Sequence, residues 1–159
     1  AFLAFEQLGQ KKVSVLMDSV DEWGLRGLGL TMEPTLVGTP KTPKDITVPL
    51  ANYAAQLRPD VLIGDPKATR GEYPKVFVAS GKAAPARRPD GQVVQLPYTE
   101  LLDADGTPKA AKELWQIISK AGVPRHAEVI LFADDPAEAA INYYVFRLMG
   151  WPDIKVWAI

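Results

Sequence analysis

The sequence predicts an α/β protein in which helices cover both faces of a parallel sheet. Strand-like and helix-like segments alternate along the second half of the chain, and the connections between strands are long enough to cross over to a parallel neighbour. The chain has 159 residues, of which 47% are hydrophobic, a composition typical of one globular domain or slightly more. A chain of this size buries a core large enough to fold without disulfides or metals.

The elements predicted in the first part of the chain are short and are separated by turn-forming residues. A helix ending at a glycine and a run of alternating apolar residues supply the first signals. Proline is frequent in residues 33–49, which predicts a linker. The predicted elements are a helix over 1–8 ended by Gly9, a strand over 13–17, a helix over 19–25, a helix over 50–57 and a strand over 60–63.

The second part of the chain has stronger patterns. Thr107 and Pro108 are typical of a helix start, and an apolar stripe follows them as far as Gly122. A second helix is predicted from Pro136 to Met149, closed by Gly150. The predicted strands of this part are 75–79, 128–132 and 154–157, and residues 81–91 are predicted to form a loop.

Composition excludes several classes of function. The chain has no cysteine and one histidine, His126, which excludes thiolate nucleophiles, disulfides and multi-histidine metal sites. We therefore predict no metal site and no cofactor. The net charge of -1 argues against a nucleic-acid partner, and no apolar run is long enough for a membrane span. The first residues do not form a secretory signal, so both the cytoplasm and the periplasm stay open, with a preference for the periplasm.

An internal similarity suggests that one type of domain occurs twice. Shifting the sequence by 141 positions aligns a helix, a glycine and a strand near the start with a helix, a glycine and a strand near the end. The aligned pairs are Phe5 with Phe146, Leu8 with Met149, Gly9 with Gly150, Val13 with Ile154 and Val15 with Val156.

Several motifs of the second part form a recognisable series. They are Leu96-Pro97-Tyr98-Thr99-Glu100-Leu101-Leu102-Asp103, the helix within 106–122, the strand Val129-Ile130-Leu131-Phe132, and Phe146-Arg147-Leu148-Met149-Gly150 with the strand that follows. This series resembles the second half of a rhodanese (thiosulfate sulfurtransferase) domain, and residues 1–30 resemble the tail of a preceding one. The resemblance implies a first-repeat remnant over 1–32, the linker over 33–49, and a second rhodanese-like domain over 50–159 that is truncated at its C-terminus.

The family's most diagnostic residue is missing. In active rhodaneses a strand ends in a cysteine that carries the transferred sulfur as a persulfide, and the resemblance places Ala133 at that position. The resemblance therefore implies that this chain has no catalytic residue and acts as a binding or structural module in a larger assembly. The alternative is a part of an active sulfurtransferase whose cysteine lies on another segment or on a partner chain. The corresponding loop consists of Ala133, Asp134, Asp135, Pro136, Ala137, Glu138 and Ala139.

The loop residues themselves point to a structural turn. Asp135 is a typical N-cap, Pro136 suits the first helical position, and Glu138 would complete a capping box. With Asp134 beside them, three carboxylates surround a helix N-terminus that would otherwise attract an anion. A hard cation such as calcium or magnesium is the alternative ligand for these carboxylates.

Two further groups of residues are candidates for contacts with partners. Lys82, Arg87 and Arg88 lie in the predicted loop and could bind an anion or an acidic partner surface. We expect most aromatic side chains near the end of the last predicted helix to pack in the core, and the alternative is that Tyr143 and Trp151 are partly exposed and act as interface anchors. An incomplete first repeat would leave a sheet edge uncovered, so we predict a protein partner or the remainder of a longer chain.

Overall fold

Four helices and five strands are defined in the computed structural model, which describes residues 1–10, 12–30, 56–69 and 71–159. Ala1–Val13 and Gln56–Ile159 form one compact unit, and Ser14–Ala55, described as far as residue 30, forms another. The elements are α1 (Phe2–Gln7), α2 (Val20–Leu25), β1 (Leu62–Ile63), β2 (Lys75–Ala79), β3 (Val93–Gln95), a short 3₁₀ helix (Tyr98–Glu100), α3 (Ala111–Lys120), β4 (Glu128–Phe132), α4 (Pro136–Leu148) and β5 (Asp153–Trp157).

The five strands form one sheet in the order β1-β5-β4-β2-β3, and every neighbouring pair is parallel. In the centre of the sheet, Lys75 lies opposite Glu128 and Ala79 lies opposite Phe132. β4 is buried along its whole length, as expected for a central parallel strand. The predicted α/β fold with a parallel sheet is confirmed.

Alternate residues of each strand supply two apolar clusters, one on each face of the sheet. The larger cluster combines strand residues such as Val78 and Leu131 with buried side chains of α3 and α4, and Phe2 and Leu3 of α1 pack against it. The smaller cluster contains Phe77, Ala79, Ile130, Phe132 and Trp157. In the described part of the chain this smaller cluster includes no helical residue, so all its buried members come from the strands.

Helix α1 is held against α4 by aromatic and charged contacts. The ring centroids of Phe2 and Tyr144 are 5.0 Å apart. Glu6 is buried and its Oε2 accepts a hydrogen bond from the Tyr143 hydroxyl at 3.3 Å, while Arg58 and Arg147 lie 3.2 and 3.4 Å from the same oxygen. Ala1–Val13 therefore belongs to the same compact unit as the sheet. The predicted segment 1–32 is thus divided between two units after Val13. The origin of that segment as a remnant of a first repeat stays a prediction.

Two predictions of local structure were wrong, and one strand was missed. Residues 13–17 are not a strand, and Val15, Leu16 and Met17 are exposed. β3 was not predicted. The helix predicted from Thr107 begins at Ala111 instead, because Thr107 donates through its backbone N–H and its hydroxyl to Asp105 Oδ1 in a tight turn.

The remaining predictions of secondary structure agree with the structure or lie outside the described residues. β2 and β4 have the predicted bounds, α4 ends one residue earlier than predicted, and β5 begins one residue earlier. Gly9, Gly122 and Gly150 have positive φ after their helices, as predicted for glycine C-caps. The linker 33–49 lies outside the described residues, as does most of the helix predicted over 50–57. No helix in the described ranges is long and apolar enough to cross a membrane.

The two aromatic residues considered as interface anchors are part of the core. Tyr143 and Trp151 are each only 1% exposed. The Trp151 indole donates to the Pro124 carbonyl oxygen at 2.9 Å, and its ring packs edge-on against Phe146. The two rings therefore pack in the core, and the alternative that they are exposed interface anchors is wrong.

Candidate functional site

The loop that follows β4 lies at the carboxyl edge of the sheet, next to the end of β2. Because Ala79 is opposite Phe132, the residues that follow them, Ser80 and Ala133, are also neighbours. The Ser80 backbone N–H donates to the Phe132 carbonyl oxygen at 2.9 Å and continues the strand pairing by one step. This edge is where open parallel sheets usually place their ligands.

Ala133 is enclosed by the turn that follows β2. The residue is 2% exposed, and a Cβ placed on Gly81 would lie 3.5 Å from the Ala133 methyl carbon. The same Cβ would lie 2.8 Å from Glu138 Oε2 and 3.2 Å from the Ala83 carbonyl oxygen. The backbone at Gly81 thus approaches the start of α4 so closely that a side chain there would require the Glu138 carboxylate to move.

Asp135 caps the N-terminus of α4, as the sequence predicts. Its Oδ1 accepts from the Ala137 N–H at 2.8 Å, and Pro136 occupies the first turn. The predicted capping box differs from the structure, because Asp135 bonds to the second helical N–H and the Glu138 N–H donates instead to the Asp135 carbonyl oxygen at 3.0 Å. The Glu138 carboxylate faces Gly81.

Asp134 connects the start of α4 to the loop between β2 and β3. Both of its carboxylate oxygens accept from the Ala86 backbone N–H, at 3.0 and 3.2 Å. The three carboxylates Asp134, Asp135 and Glu138 therefore have three different neighbours. Within the described ranges, no group of three or more potential ligand side chains is placed to hold a metal ion.

Two buried polar atoms near this edge have no hydrogen-bond partner in the described part of the chain. They are Ser80 Oγ and Asn142 Oδ1, and both residues are fully buried. Asn142 uses its Nδ2 to donate to the Leu96 carbonyl oxygen at 2.9 Å. The sequence marks Ser80 only as part of the run Ser80-Gly81-Lys82, which is interpreted as a basic turn, and a lone Asn within a helix such as Asn142 carries no pattern.

The three predicted basic residues divide into two groups. The Lys82 ammonium lies 5.4 Å from the centre of the Tyr98 ring, and the Arg87 guanidinium lies 5.4 Å from the centre of the Trp157 ring. Arg87 and Arg88 both line a cavity of about 160 Å³, which Lys82 does not. The structure therefore places the two arginines together and separates the lysine from them.

A second charged cluster lies at the opposite edge of the sheet, beside a cavity of about 620 Å³. Lys155 forms ion pairs with Asp153 and, at 3.1 Å, with Glu128. Burial alone would raise the pKa of Glu128, but hydrogen bonds from Thr69 and Lys155 and the nearby lysine charges lower it overall. Burial opposes the charge of Lys155 as well, yet Asp153 and Glu128 raise its pKa above the ordinary value. The cluster is thus internally paired.

Comparisons with known proteins identify the fold. No family model and no curated protein matches the chain. Among solved structures, EanB with a cysteine persulfide, in a tetrahedral intermediate state with ergothioneine, superimposes with a TM-score of 0.67 at 17% identity, over 98% of this chain and 40% of that chain. SseA from Escherichia coli, a 3-mercaptopyruvate sulfotransferase of rhodanese fold, gives 0.65 at 18% identity, over 98% and 59%. The anaerobic ergothioneine biosynthesis enzyme from Chlorobium limicola, in complex with trimethyl histidine, gives 0.51 at 16% identity, over 65% and 29%.

These similarities show that the chain has a rhodanese-like fold. The resemblance that the sequence motifs suggested is therefore confirmed at the level of the fold, and the chain contains no cysteine. The identities of 18% or less carry no information on activity, because one fold supports many functions. The chain spans 40% of the EanB chain and 59% of the SseA chain.

Proposed function

We propose that this chain is a rhodanese-like domain without sulfurtransferase activity, which acts as a binding or structural module in a larger assembly. The observation that carries the proposal is Ala133. It stands at the end of β4, where the family resemblance expects the persulfide cysteine, and its methyl group is enclosed beneath Gly81. The methyl side chain of an alanine has no lone pair with which to attack a sulfur donor.

The surroundings of Ala133 support the same proposal. A transferred sulfur needs both a nucleophile and room for an anionic donor at the helix N-terminus. Here Asp135 accepts a hydrogen bond from one of the N–H groups at the start of α4. Asp134 accepts from the Ala86 N–H and so holds the β2–β3 loop nearby. Negative charge from these residues and from Glu138 would repel thiosulfate.

Exposed apolar side chains support the role in an assembly. In the unit that contains α2, Leu16 and Val20 are each 71% exposed and Leu25 is 88% exposed. Three large apolar side chains exposed within ten residues of sequence favour a surface that contacts another protein. The alternative, in which a cysteine on another segment or partner chain transfers sulfur, is supported by the larger size of the matched solved structures.

Sulfur transfer from thiosulfate to cyanide tests the catalytic part of this proposal. We expect no turnover by the unmodified chain and little recovery in Ala133→Cys, because the enclosed position and the surrounding carboxylates stay in place. Ala133→Ser is the matched control, since it adds an atom of similar reach without a thiolate. Circular dichroism establishes that each variant is folded. Turnover by the unmodified chain would overturn the proposal.

Ultracentrifugation and denaturant unfolding test the assembly part. We expect the isolated chain to self-associate or to unfold at low denaturant concentration, because its exposed apolar surface lacks a partner. A stably folded, monodisperse monomer would contradict a role that depends on other chains.

A further inference from the structure

The cavity at the edge of the sheet opposite Ala133 has the features of a ligand site. It lies beside the charged side chains at the starts of β4 and β5. We propose that this cavity binds a small organic cation, such as the ammonium group of an aliphatic amine, with Glu72 as the counter-ion and Tyr73 as an aromatic wall. The site would use no residue of the loop that follows β4, so it does not depend on whether the chain transfers sulfur.

The cavity has the size and the lining of a small-ligand site. Its volume of about 620 Å³ lies within the range of roughly 300–1,000 Å³ that is usual for such sites. Pro59 and Ile63 supply apolar surface, and Tyr73 supplies a ring whose face attracts cations. The Tyr73 ring is held by packing against His126, with the two ring centroids 6.0 Å apart. An apolar surface with a few polar groups is the usual composition of a ligand site.

The carboxylate of Glu72 has no partner in the described part of the chain. The residue is exposed and forms neither an ion pair nor a hydrogen bond with any residue that the structure describes. Asp60, which lines the same cavity, is instead paired with Arg58 at 3.3 Å. The negative charge of Glu72 is therefore available to an external cation.

The surroundings of the cavity add to this negative charge. The Lys155 ammonium is shared between the carboxylates of Asp153 and Glu128. Burial alone would lower the pKa of Lys155, but these two carboxylates outweigh it and raise the pKa above its ordinary value. A Cβ placed on Gly71 would lie 2.6 Å from Glu128 Oε2 and 2.9 Å from Asp153 Oδ2, so the backbone of the cavity wall lies directly against both carboxylates. A cation that enters the cavity therefore meets a favourable potential.

The arrangement favours an organic cation over a metal ion. Within the described ranges, no three potential ligand side chains are placed to hold a metal. An ammonium group needs fewer ligands, because a charge-assisted hydrogen bond to one carboxylate and an aromatic face both stabilise it. The aliphatic part of an amine would lie on Ile63 and on the Tyr73 ring, which a metal ion would leave uncovered.

Titration followed by nuclear magnetic resonance tests the site. Butylamine, which carries an ammonium group at neutral pH, is compared with its neutral counterpart n-butanol and with potassium chloride. The backbone amides of 71–73 and 153–155 are followed. We expect saturable shifts centred on these amides with butylamine, and binding of n-butanol that is weaker by about tenfold or more. Equal binding of n-butanol, the same shifts with potassium chloride alone, or no saturable shift at millimolar butylamine would overturn the proposal.

Variants distinguish the cavity from general surface charge. Glu72→Gln should weaken butylamine binding about tenfold, because it removes the counter-ion and keeps a similar shape. Tyr73→Leu should weaken binding about threefold, since the aromatic face is lost. Glu100→Gln is the matched control, because Glu100 is also an exposed glutamate without an ion pair in the described ranges and lines no part of this cavity. Circular dichroism establishes that each variant is folded. Unchanged affinity in either cavity variant, or equal weakening by Glu100→Gln, would contradict the proposal.

Discussion

Replacing Asp134 with alanine should release the β2–β3 loop from the start of α4. Asp134 is the acceptor for the Ala86 N–H, and the two residues are 48 positions apart in the sequence. Both residues are exposed, so the freed N–H can bond to water. The change should therefore act locally and leave the core of the sheet intact.

The size of the effect follows from the geometry of this contact. Hydrogen bonds to charged groups contribute about 1.5–3 kcal/mol, and solvent screening at an exposed carboxylate reduces this to about 1 kcal/mol. One N–H shared between two oxygens counts as a single bond. A local loss of about 1 kcal/mol corresponds to a roughly fivefold increase in the population of the open loop.

Native-state hydrogen exchange at the Ala86 amide measures this opening. We expect its exchange rate to rise roughly fivefold in Asp134→Ala, while the amides of β4 are unchanged. Asp135→Ala is the control. It removes the α4 cap, so it should lower the free energy of unfolding by about 1 kcal/mol without selectively exposing Ala86.

Unchanged protection of Ala86 in Asp134→Ala would refute the reasoning, because the loop would then be held by other contacts.

Two further predictions concern buried polar groups. Ser80→Ala should raise the free energy of unfolding by up to about 1 kcal/mol in urea melts, because it removes a buried hydroxyl that has no hydrogen-bond partner among the described residues; a clear loss of stability would mean that the hydroxyl is bonded in solution. Burial and the Glu6 charge raise the pKa of Tyr143 to about 12. The unfolded chain loses this proton near pH ~10, so the stabilisation is complete below about pH 10 and is lost as the pH rises towards about 12. Over that pH range the free energy of unfolding measured in urea melts should fall less for Tyr143→Phe than for the unmodified chain. An equal fall in both would contradict the raised pKa of Tyr143.

The sequence predicted best where the pattern and the packing agree. β4 has four consecutive apolar residues after Glu128 and is buried along its whole length, so a strand was expected there from residue type. α4 carries its own start and end signals in Asp135, Pro136 and Gly150. Such local signals do not depend on the remainder of the chain.

The errors arose where distant contacts decide the structure. Residues 13–17 alternate like a strand, but alternation cannot reveal that no described strand pairs with them. β3 is only three residues long and becomes a strand because β2 lies beside it. Thr107 is typical of an N-cap, but in the structure its backbone N–H and hydroxyl donate to Asp105 Oδ1 instead. Tyr143 and Trp151 are buried by α1 and α3, whose positions the local sequence does not specify.

The candidate site shows the same division. The Asp135 cap followed from the loop residues themselves, and the assignment of Ala133 to the family's cysteine position stays a prediction from the motif resemblance. The enclosure by Gly81, the bond from Ala86 and the pairing of Arg87 with Trp157 involve residues far apart in the sequence, and no local pattern predicts them. Only the folded sheet brings them together.

The contact between Asp134 and Ala86 also reports on how the two central strands are aligned. Asp134 lies two residues beyond β4, and Ala86 lies seven residues beyond β2. A slip of two residues between the strands would keep every side chain on its own face but displace the carboxylate by about 7 Å, which is beyond the reach of a hydrogen bond. One exposed loop amide is thus a spectroscopic indicator of correct strand alignment deep inside the sheet.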